Sequence, residues 1–127
     1  MKSDRQTLGQ FAEELVCEYL RGRTFKVLDR NVSKPWGELD IVAKDGDEIV
    51  CIEVKAQSEA REGLRPEDHF DAGKARRVVR ACHSYLLENK YPEETPYRVD
   101  LATVTTTQAT RMARVRYYKN ALSGEHE

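Results

Sequence analysis

Residues 37–57, GELDIVAKDGDEIVCIEVKAQ, constrain the fold of this chain more than any other stretch. Two runs that alternate apolar and polar residues flank the turn sequence DGDE, and this pattern predicts a β-hairpin with a four-residue loop. Closing that loop sets Lys44 opposite Ile49 and Val42 opposite Cys51. The register of the hairpin therefore follows from local sequence alone.

The same register concentrates charge on one face of the hairpin. Asp40 is expected opposite Glu53, and Glu38 opposite Lys55, and the period of two puts all four on one face. The other face is expected to be apolar and to join the core, with Leu39, Ile41, Ala43, Val50, Ile52 and Val54. Like charges directly opposite one another destabilise a sheet, so the acidic cluster needs an explanation.

Two explanations of the charged face stay open at this point. A hard divalent cation such as Mg2+ removes the repulsion, because it prefers oxygen ligands and needs only one or two protein carboxylates. Lys55 would then lie near a metal-bound water. Alternatively, the cluster is a structural charge network in which Lys55 neutralises Glu38 or Glu53.

Length and charge limit the classes of protein. The 127 residues suit one domain, and a net charge of -1 with 34% charged residues gives no global basic field, so nucleic-acid binding must depend on local patches. No apolar run has the length of a signal peptide or a membrane span. Cys17, Cys51 and Cys82 lack zinc-site spacing and are expected to be buried free thiols in a reducing cytoplasm.

Two helices and three further strands are expected around the hairpin. Helical spacing of Leu8, Phe11 and later apolar residues predicts a helix over residues 7–21, capped by Thr7 and ended by Gly22. A second helix, 72–89, has Asp71 as its N-cap. Strands are predicted over 24–30, 97–105 and 112–119, with loops over 31–36, 58–71 and 105–110.

This element order indicates a mixed sheet of about five strands covered by helices, an α/β or α+β sandwich. One domain is expected over residues 1–122, with a disordered tail over 123–127. The second helix carries a basic stripe, which is either a solvated face or a set of phosphate contacts. The stripe comprises Lys74, Arg76, Arg77, Arg80 and His83. Glu13, off the apolar stripe of the first helix, reads by itself as an exposed glutamate.

The spacing of Asp40, twelve residues, then Glu53-Val54-Lys55 is similar to the PD-(D/E)XK nuclease signature. A fuller pattern resembles the YraN-like family of small bacterial proteins, grouped with Holliday-junction-resolvase-like and restriction-endonuclease-like folds. The pattern comprises LGQFAEELVCEYL, RN, GELDIVAKDGD, EVK, the K-x-x-R of Lys74 and Arg77, and YRVD at 97–100. It runs from about residue 8 to residue 122 and implies a restriction-endonuclease-like fold.

The resemblance also implies roles for individual residues. Asp40 and Glu53 would be metal ligands, and the backbone carbonyl of Val54 would be a third. Lys55 would orient or deprotonate the attacking water, and Glu13 would complete the site from the first helix.

The function expected from this resemblance is Mg2+-dependent hydrolysis of DNA phosphodiester bonds, at branched or structured DNA, with Mn2+ as a substitute metal. Lys74, Arg76, Arg77 and Arg80 would position backbone phosphates. Gln57 stands where the family often has Arg, which removes a phosphate contact, and Ala12 stands where it usually has Gly. The alternatives are a nucleic-acid-binding module that does not cleave, and a scaffold. RNA as substrate and a homodimer stay open, and no membrane partner is expected.

Overall fold

A five-stranded mixed sheet with a helix on each face forms the fold. The computed structural model describes residues 4–35, 37–59, 66–107 and 112–122. Its elements are α1 (Asp4–Arg21), β1 (Lys26–Lys34), β2 (Gly37–Asp45), β3 (Glu48–Ser58), a 3-10 turn (Pro66–His69), α2 (Ala72–Glu88), β4 (Tyr97–Thr106) and β5 (Ala113–Tyr118). The strands lie in the order β1-β2-β3-β4-β5, with β3 and β4 parallel and the other neighbours antiparallel. The α/β class is confirmed, and it is consistent with a restriction-endonuclease-like fold.

The predicted hairpin register is confirmed over its first half, but Asp45 also pairs with Glu48, so the connecting loop has two residues and not the four predicted. Lys44 pairs with Ile49 and Val42 with Cys51. Gly46 in the turn has φ +62°, the left-handed region that favours glycine. Turn chemistry and alternation were sufficient to fix this part of the register.

The two hairpin strands stop pairing beyond Ile41 and Ile52. From there β2 continues along β1 as far as Gly37, while β3 continues along β4 as far as Ser58. The predicted pairing of the carboxylates across the hairpin, and of Glu38 with Lys55, was therefore wrong for the backbone ladder. The result is a fork in the sheet between β2 and β3.

Two apolar cores fill the space between the sheet and its helices. On the α1 side the buried residues are Ala12, Val16, Cys17, Leu20, Ile41, Ala43, Val50, Ile52, Ala102 and Val104. On the α2 side they are Leu39, Val42, Ile49, Cys51, Val78, Ala81, Cys82, Tyr85 and Val99. Leu39 was expected on the face of Ile41 and lies instead on the α2 side. Because residues two apart in a regular strand share a face, β2 changes its facing at Asp40, where its pairing with β3 ends.

The first helix is longer than its sequence pattern predicted. It begins at Asp4, so the prediction of Thr7 as its N-cap was wrong, and it ends next to Gly22 as expected. Leu8 and Phe11 are 40% and 49% exposed, so the predicted core stripe packs only from Ala12 onward.

The first strand covers Lys26–Lys34, so residues 31–34, expected in a loop, belong to the sheet. They read as loop because they are polar, but Val32 pairs with Leu39 at the edge of the sheet. The second helix is confirmed, with Asp71 accepting the backbone N–H of Lys74 at 2.7 Å. The last two strands lie close to their predicted bounds. Residues 60–65, 108–111 and 123–127 of the expected loops and tail lie outside the described residues.

A buried charge network ties the closed end of the hairpin to β4 and β5. The Arg98 guanidinium donates to Asp100 at 3.0 Å, to Glu48 at 2.6 Å and to Asp45 at 3.1 Å. Tyr117 donates its hydroxyl to the fully buried Asp100 at 2.6 Å. The ion pairs and hydrogen bonds offset the cost of burying these charges, so the network stabilises the packing of the hairpin end against β4 and β5.

The three cysteines are free and buried, as predicted. No helix in the part of the chain that the structure describes has the length and apolar character that crossing a membrane requires.

Candidate active site

The fork between β2 and β3 opens into a cleft of about 440 Å³ beside the N-terminal half of α2. Its lining comprises Gly37, Glu38, Asp40, Glu53, Lys74, Arg77 and Val78. The helix approaches β2 closely here, because a Cβ on Gly37 would lie only 2.9 Å from the backbone oxygen of Arg77. Glycine at this position therefore lets the basic helix form one wall of an acidic cleft.

Asp40 lies where the hairpin ladder ends. Its carboxylate accepts the backbone N–H of Val54 at 2.8 Å, which fixes it across the fork. Burial and the nearby negative charge of Glu53 raise the pKa of Asp40 to about 7. A cation that enters the cleft would stabilise the ionised form of Asp40 and lower this raised pKa.

Glu53 shares the cleft with Asp40 and already has a cationic partner. Its Oε1 lies 2.8 Å from the Nζ of Lys74, and the side chain is only 16% exposed. In the charge network proposed from the sequence, Lys55 was expected to neutralise Glu38 or Glu53. The structure assigns it to Lys74, which sequence reasoning had placed among the phosphate contacts.

Lys55 follows Glu53 on β3 and has an exposed side chain. It stands beside Thr103 in the parallel ladder with β4 and is absent from the residues that line the cleft. Within the described segments no ion pair joins it to Glu38 or Glu53. Strand alternation puts Lys55 on the Glu53 side of the sheet, one step further from the fork.

Glu13, on α1, acts on Asp40 through its charge. Its side chain is 14% exposed, its Oε1 is buried without a hydrogen-bond partner, and Arg30 lies 3.8 Å away. Burial raises the pKa of Glu13, and its charge contributes to the raised pKa of Asp40. The structure thus brings Glu13 into electrostatic contact with Asp40, away from the exposed position that the helix pattern alone suggested.

The donor atoms of the cleft suit a hard divalent cation. No three His, Cys, Asp or Glu side chains of the described residues are grouped closely enough to form a metal cage by themselves. Mg2+ does not need such a cage, since it binds through one or two carboxylates and keeps several waters. The raised pKa of Asp40 is the feature that a bound cation would relieve.

The basic stripe of α2 divides between two surfaces. Lys74 and Arg77 line the carboxylate cleft. Arg76 and Arg80 line a separate groove of about 470 Å³ together with His83. The carboxylate cleft thus holds two of the basic side chains, and the separate groove holds the other three.

Sequence reasoning missed the ion pair of Lys74 with Glu53. No local signal announces it, because the two residues lie far apart in the chain and meet only when α2 packs on the sheet. Val54 was expected to offer its carbonyl to a metal. In the structure its N–H donates to Asp40, and the residue stands opposite Ala102 in the ladder with β4.

Comparison with known proteins finds one family. A model described as uncharacterised protein family UPF0102 matches residues 12–104, which include Glu13 and the whole lining of the cleft. A UPF0102 protein of Thermotoga maritima is 40% identical over 94 residues, covering 74% of this chain and 82% of the relative. One of Dehalococcoides mccartyi is 33% identical over 125 residues, covering 98% and 100%. One of Anaeromyxobacter is 35% identical over 122 residues, covering 96% and 89%.

Proposed function

The chain belongs to the UPF0102 family, which is the YraN family, and from that premise we propose that it hydrolyses DNA phosphodiester bonds with the help of Mg2+. The observation that carries the proposal is the cleft itself. Asp40 and Glu53 meet there at the fork of the sheet, and Lys74 and Arg77 face them from α2. Acidic groups for a metal and basic groups for a phosphate thus line one cavity.

Asp40 and Glu53 are the residues that would hold the divalent cation, with the Val54 carbonyl as a further oxygen and Glu13 completing the acidic surround. When bound, such a cation polarises a phosphoryl oxygen and lowers the pKa of water. The acceptance of the Val54 N–H by Asp40 keeps one carboxylate oxygen oriented before any ligand arrives. A preoriented ligand group reduces the reorganisation that the reaction requires.

Lys55 is the proposed cation at the attacking water. Its exposed ammonium is not committed to Glu38 or Glu53 within the described residues, so it is available to a substrate phosphate. Its role is to orient the water and to stabilise charge that develops on the phosphoryl oxygens.

The arginines of α2 are the proposed phosphate contacts. Arg77 would contact the phosphate nearest the cleft, and Arg76 and Arg80 would contact the backbone further along the helix. Contacts of this kind set the register of the nucleic acid without reading its sequence.

A nucleic-acid-binding protein that does not cleave is the second candidate. The ion pair of Lys74 with Glu53 favours it, because the ammonium already neutralises a carboxylate that a metal would use. Metal-dependent turnover separates the two candidates.

The test is a cleavage assay over branched, single-stranded and duplex DNA and RNA, with Mg2+, with Mn2+ and with EDTA. We expect cleavage of at least one DNA structure in either metal and none in EDTA. Binding without cleavage in both metals would favour the second candidate. Cleavage that persists in EDTA would contradict the metal-dependent mechanism.

A further inference from the structure

We propose that Lys74 is the built-in cation of the cleft, which holds Glu53 in the metal-free protein and releases it when a divalent cation binds. The inference rests on the proposed function and extends it, because it makes Lys74 a positioning residue that couples metal binding to phosphate binding.

The geometry fixes Lys74 at this position. Its backbone N–H donates to the Asp71 cap at 2.7 Å, so it belongs to the first turn of α2. Its side chain crosses to β3, where Nζ lies 2.8 Å from Oε1 of Glu53. In the same position Nζ lies 5.6 Å from the centroid of the Phe70 ring, whose face attracts a cation.

The charges of the cleft explain why an ammonium is held there. Asp40 and Glu53 raise one another's energy when both are ionised, and the positive charge of Lys74 lowers the pKa of Asp40 against that effect. Among the described residues, Lys74 is the cation that forms an ion pair with either of the two carboxylates. It therefore supplies the positive charge that offsets the repulsion between the two carboxylates.

A divalent cation and an ammonium compete for Glu53. Both are positive, so a metal ion at Glu53 repels the ammonium that lies 2.8 Å from Oε1 and weakens that contact. A partly exposed ion pair is worth up to about a fivefold change in an equilibrium constant. Metal binding in the natural protein should therefore be weakened by a factor of that order.

The released ammonium has a second partner. Lys74 and Arg77 are three residues apart on one helix and line the same wall of the cleft, so both side chains reach the same region. Once freed from Glu53, Lys74 joins Arg77 as a contact for a substrate phosphate. Metal binding thereby prepares the phosphate site.

Calorimetric titration with Mn2+, in the absence of DNA, tests the competition. Lys74→Met keeps the aliphatic stem and removes the charge, and it should lower the Kd for Mn2+ about three- to fivefold. Lys74→Arg should retain the natural value, because it keeps the charge. Lys34→Met is the matched control, since Lys34 pairs with Glu88 between β1 and α2 at a similar exposure, 27% against 30%, and should leave the Kd unchanged.

Unchanged or weaker Mn2+ affinity in Lys74→Met, while the natural protein binds Mn2+, would overturn the role of Lys74 alone. An equal gain in Lys34→Met would do the same, since the effect would then be one of net charge. Absence of Mn2+ binding in both the natural protein and Lys74→Met would overturn the metal site on which the proposed function also depends. If Lys74→Met does not fold, Lys74→Gln gives the same comparison with a polar neutral side chain.

Discussion

Replacing Asp40 by asparagine should stabilise the metal-free protein at alkaline pH. The folded protein holds the pKa of Asp40 at about 7, against 3.8 for the ordinary group. Between these two values the folded state keeps a proton that the unfolded chain has released, so the free energy of unfolding falls as pH rises through this window. Above about pH 7 the full penalty of ionising Asp40 is present, and below about pH 4 it is absent.

The raised pKa sets the size of the effect. At about 1.4 kcal/mol per pH unit, the difference between 3.8 and about 7 gives an upper limit of roughly 4 kcal/mol. Because Asp40 is only partly buried and shares its repulsion with Glu53, solvent screening reduces this to about 2 kcal/mol. Asparagine carries no charge and retains an oxygen for the Val54 N–H, so Asp40→Asn avoids the penalty. A rise in Tm of roughly 6–8 °C follows at pH 8.

Thermal unfolding in EDTA, followed from pH 4 to pH 8.5, measures this effect. The Tm difference between Asp40→Asn and the natural protein should grow as pH rises and level off above about pH 7. Asp47→Asn, in the exposed hairpin turn, is the control and should leave the profile of the natural protein unchanged. A Tm difference that does not vary with pH would refute the reasoning, because it would show that Asp40 is not held in an electrostatically strained state.

Three further changes test other parts of the molecule. Lys55→Met should reduce single-turnover cleavage at saturating Mg2+ by a factor on the order of 10², as for the loss of one preorganised stabilising group. Its metal affinity should stay nearly unchanged. A cleavage rate near that of the natural protein would exclude a catalytic role for Lys55. Replacing Arg76, Arg77 and Arg80 together by alanine should weaken DNA binding uniformly across sequences. It should also flatten the slope of log K against log salt by about one for each lost phosphate contact. An identical slope would show that these arginines only form a solvated face of the helix. Gly37→Ala should cost about 1–3 kcal/mol, because the new Cβ would meet a helix backbone oxygen at 2.9 Å, and an unchanged Tm would show that the helix can withdraw freely.

Local patterns predicted much of the fold. The DGDE turn and its flanking alternation gave the register of the hairpin as far as Ile41 and Ile52, and the spacing of α2 gave that helix with its Asp71 cap. Both succeed because the interactions that decide them lie within a single hairpin or a single helix.

The shape of the site was not predictable in the same way. Alternation assumes a continuous ladder, so it could not indicate that β2 leaves β3 at Asp40 or that Leu39 changes sides. The ion pair of Lys74 with Glu53 depends on how α2 packs on the sheet. Such long-range contacts carry no local signature. The two carboxylates themselves could be picked out, because the alternation of the hairpin sequence puts them on one charged face.

Single-turnover cleavage of the best DNA substrate by the natural protein and by Glu53→Gln, prepared in parallel, decides whether the cleft is a nuclease site. Glu53→Gln keeps the size of the side chain and removes the charge that the cleft offers to a cation. We expect Mg2+-dependent cleavage by the natural protein and none above background by Glu53→Gln. Thermal unfolding curves should show that both proteins are folded. Equal cleavage by the two proteins would contradict the assignment of the cleft between β2 and β3 as the site of phosphodiester hydrolysis.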